Sequence, residues 1–121
     1  MAGASGSFVI AGSGEAGDGP APYSERSVRW GETSADAMRD KAVFVLGRME
    51  ERMAVFGKTW DDTTATQVYA VHDVHSYLAD EIVQRGAARH GLIWHFARPP
   101  VEGLEYEMDC RSVPVEHHVS V

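Results

Sequence analysis

Residues 34–57 read SADAMRDKAVFVLGRMEERMAVFG, and this stretch decides how the rest of the chain is arranged. Its apolar residues recur at three- and four-residue spacing, which is the period of one helical face. They are Met38, Ala42, Val45, Leu46, Met49, Met53 and Phe56. Thr33 or Ser34 offers an N-cap, and Gly57 offers a C-cap. Because charged residues fill most of the opposite face, the pattern predicts one amphipathic helix that lies on a sheet.

Four segments around this helix have the character of strands. Residues 7–11 are apolar and β-prone, and residues 63–72 alternate along a run rich in β-branched side chains. Two more segments, 92–97 and 104–113, flank a connection whose prolines and glycine forbid regular pairing. We expect these last two strands to be adjacent and antiparallel.

A second helix and two irregular regions complete the chain. Asp73 is placed to cap a helix that ends at Gly86. Its inward positions are Val74, Tyr77, Leu78 and Ile82, and Val83 is a fifth candidate. Residues 12–32 are rich in loop-forming residues, with 27–30 either a short strand or a loop, and 114–121 form a C-terminal tail. The succession predicts a single α+β domain over the whole chain, a size that can bury an adequate core.

Charge and composition exclude several classes of function. The net charge of -7 comes without any block of Lys and Arg, so nucleic acid is not an expected partner. No apolar run approaches the roughly 18 residues that span a bilayer, so we expect no membrane segment. Cys110 is the single cysteine, and the first residues lack the pattern of a signal peptide. These features predict a cytoplasmic protein.

The order of the elements and two local motifs carry a family resemblance. Residues 60–69 read WDDTTATQVY, and residues 98–109 read RPPVEGLEYEMD, with an Arg-Pro start and a Glu-x-Glu ending. Over roughly residues 7–113 the chain resembles the Rid (reactive intermediate deaminase, YjgF) family, as a member that is short at the N-terminus. The resemblance implies a chorismate-mutase-like sheet backed by two helices. It also implies a homotrimer around a barrel of sheets, with sites in the clefts between subunits.

The same resemblance implies a chemistry and two residues for it. Rid proteins hydrolyse the imine or enamine of a 2-imino acid to a ketone and ammonia without a cofactor. In that family an Arg at the start of the penultimate strand holds the substrate carboxylate, and a Glu on the last strand orients water. Arg89 and Glu105 match these positions. Because the spacing from Arg89 to Pro99 is one residue longer than in the family pattern, Arg98 is the alternative anion clamp.

Acidic side chains on the last predicted strand are candidates for proton transfer. We assign Glu105 and Glu107 to one face of this strand and Asp109 to the opposite face. A Glu that orients water beside an Arg suits imine hydrolysis, because the attacking water must lose a proton and the leaving nitrogen must gain one. The alternative is that the two glutamates are exposed or form salt bridges between subunits.

Three further residues complete the predicted site. His95 lies in the middle of a predicted strand, and an imidazole is a candidate acid-base group, although a lone histidine on a strand is more often a core or interface residue. Trp94 and Phe96 fall on the other face, where we expect them to pack against the long helix. Trp94 and Gly12 are also candidates to line the substrate cleft, Gly12 through exposed backbone N–H groups.

The function predicted from these residues has alternatives. We expect a cofactor-independent imine or enamine deaminase-like hydrolase that acts on a small substrate with a carboxylate. The alternatives are a non-catalytic module that binds small anions, or a dedicated catabolic or biosynthetic enzyme acting on an aminated unsaturated acid. The histidine pairs at 72/75 and 117/118 lack the ligand number and spacing of a zinc site, so no metal is expected.

Overall fold

The computed structural model describes residues 6–120 as an α+β fold, as predicted. Its strands are β1 Phe8–Gly14, β2 Ala65–Tyr69, β3 Ile93–His95 and β4 Glu107–Ser112. Its α-helices are α1 Tyr23–Arg26, α2 Ala35–Val55 and α3 His75–Tyr77. A 3-10 turn covers Trp60–Asp62, and a π-helical segment covers Leu78–Val83. No helix in the described part of the chain is long and apolar enough to cross a membrane.

The four strands form one mixed sheet in the order β1-β4-β2-β3. Strand β4 pairs antiparallel with β1 and β2, so that Cys110 lies opposite both Ile10 and Thr66. Strand β3 pairs parallel with the other edge of β2. The predicted adjacency of segments 92–97 and 104–113 was therefore wrong. Because β3 occupies one edge of β2, the chain crosses to the opposite edge before β4 begins.

Helix α2 covers one face of the sheet and confirms the predicted amphipathic helix. The Ser34 hydroxyl accepts a hydrogen bond from the Ala37 N–H at 3.2 Å, as an N-cap should. The predicted apolar face is buried from Met38 to Met53. Phe56 is exposed, which corrects its assignment to this face. The helix ends at Val55, so the Phe56 ring turns to the sheet edge and stacks at 6.3 Å on that of Phe8.

The second predicted helix is present but irregular. Only α3 is α-helical, and it continues directly into the π-helical segment. There the Gln84 N–H donates to the Ala79 carbonyl at 3.1 Å, five residues back, which is the π pattern. Val74, Tyr77 and Ile82 are buried in the core, as expected from their spacing. Val83 is exposed, so its assignment to the inward face was wrong.

The loop-rich region between β1 and α2 is held by specific bonds. An isolated antiparallel bridge joins Ala16 to Ser27, and the short helix α1 lies between them. The Arg26 Nε donates to the Ala21 carbonyl at 2.6 Å, and its Nη1 donates to the Gly17 carbonyl at 2.7 Å. These bonds keep the segment folded back against the end of β1.

Candidate active site

Glu105 is the centre of a small charged cluster just before β4. Its Oε1 lies 3.1 Å from Arg98 Nη1 and 3.3 Å from His72 Nε2. The Glu105 side chain is 14% exposed, whereas that of Arg98 is 66% exposed. The structure thus brings together two of the predicted site residues. It adds His72, whose sequence spacing from His75 suggests only a metal ligand.

A buried ion pair fixes the backbone beneath this cluster. The Glu15 carboxylate accepts the Glu105 N–H at 2.8 Å and the Tyr106 N–H at 3.1 Å. Lys41 Nζ lies 3.1 Å from Glu15 Oε2, and both side chains are fully buried. The sequence did carry a signal for this pair. Lys41 falls on the apolar face of α2, and a lysine in a core position requires a buried partner.

Arg89 lies in a different set of contacts. Its Nη1 donates to Asp61 Oδ1 at 2.8 Å, and its side chain is 61% exposed. Asp61 belongs to the 3-10 turn after α2. The arginine that contacts Glu105 in this structure is therefore Arg98, and Arg89 forms a surface ion pair.

His95 belongs to a hydrogen-bonded network on the sheet face that points away from α2. The Gln67 Nε2 donates to Asp109 Oδ1 at 3.0 Å, so the Gln67 Oε1 is free to accept from His95 Nε2 at 2.6 Å. The Tyr69 hydroxyl donates to Asp109 Oδ2 at 2.8 Å, and its ring stacks on His95 with centroids 4.8 Å apart. Burial and then this bond to Asp109 raise the pKa of Tyr69 to about 12.

The alternating burial of side chains along β4 corrects the predicted face of Asp109. Met108 and Cys110 are buried, whereas Glu107 and Asp109 are half-buried on the other face. The placement of Asp109 opposite the glutamates was wrong, because residues two apart on a strand share a face.

The two aromatic residues of the 92–97 segment differ in their burial, although their ring centroids lie 6.3 Å apart. Trp94 Nε1 donates to the Ala70 carbonyl at 2.9 Å, and the indole meets the His75 ring edge-on at 5.6 Å. Phe96 is exposed, so the expectation that it packs against the long helix was wrong. The short strand β3 ends at His95, and Phe96 lies beyond the part that the sheet supports.

Gly12 lines a cavity of about 300 Å³ that we call the arginine pocket. Its walls come from β1, the following loop, α2 and the segment before β4. The lining residues are Gly12, Ser13, Gly14, Ala16, Asp18, Tyr23, Arg26, Arg48, Arg52, Pro100, Val101, Leu104 and Glu107. The Glu107 carboxylate lies so close to Gly12 that a Cβ there would collide with it. Burial, followed by the neighbouring Asp109, raises the pKa of Glu107.

Comparison with known proteins identifies the family. The sequence model of the family described as 2-aminomuconate deaminase CnbZ matches residues 1–117. The chain belongs to this family. A curated relative, 2-amino-5-chloromuconate deaminase from Comamonas testosteroni, is 46% identical over 106 residues. That match covers 88% of this chain and 42% of the relative, so the chain spans less than half of the relative's length.

Solved structures place this CnbZ-family chain among Rid folds. The Rid protein YyfB from Yersinia pestis is 18% identical with a TM-score of 0.59, over 88% of this chain and 77% of that one. The YjgF gene product from E. coli is 16% identical with a TM-score of 0.58, over 90% and 81%. The predicted Rid resemblance and fold class are confirmed, and the predicted deaminase function agrees with the family.

Clusters of potential metal ligands are absent from residues 6–120. Within that range, no group of three or more His, Cys, Asp or Glu side chains is arranged to hold a metal ion.

Proposed function

We propose that this chain is a cofactor-independent deaminase that releases ammonia from an aminated unsaturated dicarboxylate of the 2-aminomuconate type. The match of residues 1–117 to the family of 2-aminomuconate deaminases carries this proposal. Muconate is a hexadienedioate, so such a substrate has a carboxylate at each end and an enamine nitrogen beside one of them. This substrate is a specific member of the predicted class, which is small imines and enamines that carry a carboxylate.

Glu105 has the setting that the reaction needs. The enamine tautomerises to the 2-imine, water adds at C2, and ammonia leaves to give the 2-oxo acid, so the sum is enamine plus water to ketone plus ammonia. One proton must leave the attacking water, and one must reach the departing nitrogen. A positioned carboxylate can perform both transfers in turn. We assign this role to Glu105, with His72 at 3.3 Å as its proton-exchange partner.

Arg98 is our choice for the clamp on the carboxylate beside the reacting carbon. A guanidinium binds a carboxylate through two parallel N–H bonds, which also fixes the orientation of the substrate. Arg98 contacts Glu105, and its exposed side chain is free to exchange that contact for a substrate. Arg89 is held by Asp61 and is the alternative.

The trimer and the cellular location are part of the same proposal. Val9 and Ile93 on the two edge strands are exposed, and the Tyr69–His95 network lies on the sheet face away from α2. A homotrimer around these faces would cover them. Light scattering should then give three times the chain mass of 13.2 kDa, and a monomer would contradict it. We also propose a cytoplasmic location, which cell fractionation tests.

The experiment that tests the function uses two kinds of substrate. The purified chain is mixed with fresh 2-aminomuconate, and separately with simple 2-imino acids made in place by an amino-acid oxidase. We expect faster ammonia release from 2-aminomuconate, with Arg98→Met slower than Arg89→Met. Acceleration of simple imines alone would indicate a general deaminase. Acceleration of neither would leave a module that binds small anions.

A further inference from the structure

Three arginines line the arginine pocket, and only one of them has a strong carboxylate partner. Arg48 Nη2 lies 2.8 Å from Asp18 Oδ1. Arg52 Nη1 donates to the Ser13 hydroxyl at 2.6 Å, and Arg26 donates only to backbone carbonyls. Among residues 6–120, neither Arg26 nor Arg52 has a carboxylate oxygen within the 4.0 Å of an ion pair. Two guanidinium groups in this pocket are thus left without a direct ion pair.

These two guanidinium groups are held in place before any ligand arrives. Arg26 is fixed by the Ala21 and Gly17 carbonyls, and its guanidinium carbon lies 4.1 Å from the centre of the Tyr23 ring. Arg52 is fixed by Ser13, which is buried in β1. In the described structure, the Nη2 groups of both arginines remain without a hydrogen-bond acceptor. Fixed donors lose little side-chain entropy when an anion binds.

The acidic residues of the pocket cancel only part of this charge, because three arginines and two carboxylates, Asp18 and Glu107, line it. The Asp18 side chain is 83% exposed, and Arg48, then Arg52 and Arg26, hold the pKa of Asp18 below its usual value. Glu107 also lines the pocket, and burial raises the pKa of its carboxyl group. The pocket is therefore locally cationic in a chain whose net charge is -7. Such a local excess of positive charge favours an anionic ligand.

We propose that the arginine pocket binds one carboxylate of a six-carbon unsaturated dicarboxylate, with Arg52 and Arg26 as the donors. Its volume of about 300 Å³ is at the lower end of the range for small-molecule sites. Leu104 lines the pocket and directly precedes Glu105. In turnover the pocket holds the carboxylate distal to the amine, while Arg98 holds the proximal one. That distal role rests on the proposed function, whereas anion binding by the pocket does not.

The test measures binding of cis,cis-muconate, which has no amine and cannot turn over. Calorimetric titration of the wild-type chain is compared with Arg52→Met, Arg26→Met and the control Arg39→Met. Arg39 is on the same helix but pairs with Asp80 and Glu81. We expect roughly tenfold weaker binding in each pocket variant, the scale of one charge-assisted hydrogen bond. Arg39→Met should bind as the wild type does, and Asp18→Asn should bind more tightly.

Sorbate, a hexadienoate with one carboxylate, supplies the second comparison. The inference is overturned if the wild type binds muconate no more tightly than sorbate, or if both folded pocket variants keep full affinity. Circular dichroism of each variant checks that it is folded. If muconate binding depends on Arg52 but no ammonia is released from 2-aminomuconate, anion binding by the pocket is supported and the deaminase function is rejected. Ammonia release with an unchanged KM in Arg52→Met would support the deaminase and reject the role of the pocket in holding the distal carboxylate.

Discussion

Removal of the Lys41 charge should destabilise the protein more than most single substitutions. Lys41→Met keeps a similar apolar volume on the buried face of α2 but leaves the Glu15 carboxylate without its counter-ion. Both side chains are fully buried, and their charged atoms are 3.1 Å apart. Breaking a buried ion pair from one side costs about 3–5 kcal/mol, because the remaining charge is desolvated and uncompensated.

The structure favours the lower end of that range. Glu15 would still accept the backbone N–H groups of Glu105 and Tyr106, which stabilise its ionised form. We therefore expect a loss of about 3 kcal/mol. For a chain of 121 residues this corresponds to a fall in Tm of about 12 °C. Because Glu15 holds the backbone of Glu105, ammonia release should also slow at temperatures where the variant is folded.

Urea unfolding of three variants measures this effect. Lys58→Met is the matched control, because Lys58 is the only other lysine and forms no ion pair among the described residues. The double variant Lys41→Met/Glu15→Gln removes both charges and keeps an acceptor for the two N–H groups, so it should recover at least half of the loss. The reasoning is refuted if Lys41→Met unfolds like Lys58→Met, or if the double variant is less stable than Lys41→Met.

Three further predictions concern single residues. Gly103→Ala should lower the free energy of unfolding by about 1–3 kcal/mol, as measured by thermal unfolding. Gly103 has φ +91, and an added Cβ would collide with the Trp30 ring. Gly57→Ala is the control and should be less destabilising, because an added Cβ there meets open space. Burial raises the pKa of Cys110 to about 12, so at pH 8 a thiol reagent should label the native chain far more slowly than the unfolded chain. The pKa of Glu107 is raised above its usual 4.5, so its ionisation should lower stability as pH rises through that raised value. The free energy of unfolding of Glu107→Gln relative to the wild type, measured in urea, should therefore increase from pH 4 to pH 7. An equal difference at both pH values would contradict this.

The sequence predicts the elements of this fold better than their arrangement. The apolar period of α2 is strong enough to fix its buried face and its N-cap. The order of strands depends on which edge of β2 is free after β3 has paired, and no local sequence pattern indicates which edge that is. The local sequence pattern does not predict the π-helical segment either, because its inward-facing residues fit an ordinary α-helix equally well.

In the candidate site, likewise, individual residues could be predicted from the sequence but their contacts could not. Glu105 and Arg98 were identified from the motif around them, but their partners are distant in the chain. Glu15 reaches the Glu105 N–H across 90 residues, because β4 pairs beside β1. Arg26 and Arg52 resemble ordinary surface arginines in the sequence. Only the return of the 15–27 loop against α2 places them in one pocket with Gly12.

Ammonia release from 2-aminomuconate by the wild type, Glu105→Gln and Glu102→Gln tests the central claim most directly. Glu102 is an exposed glutamate in the preceding loop and serves as the control. Loss of a positioned acid-base group lowers rates by about 10²–10⁴-fold, and we predict a loss of that size for Glu105→Gln alone. Full activity in Glu105→Gln, or an equal loss in both variants, would contradict the assignment of proton transfer to Glu105.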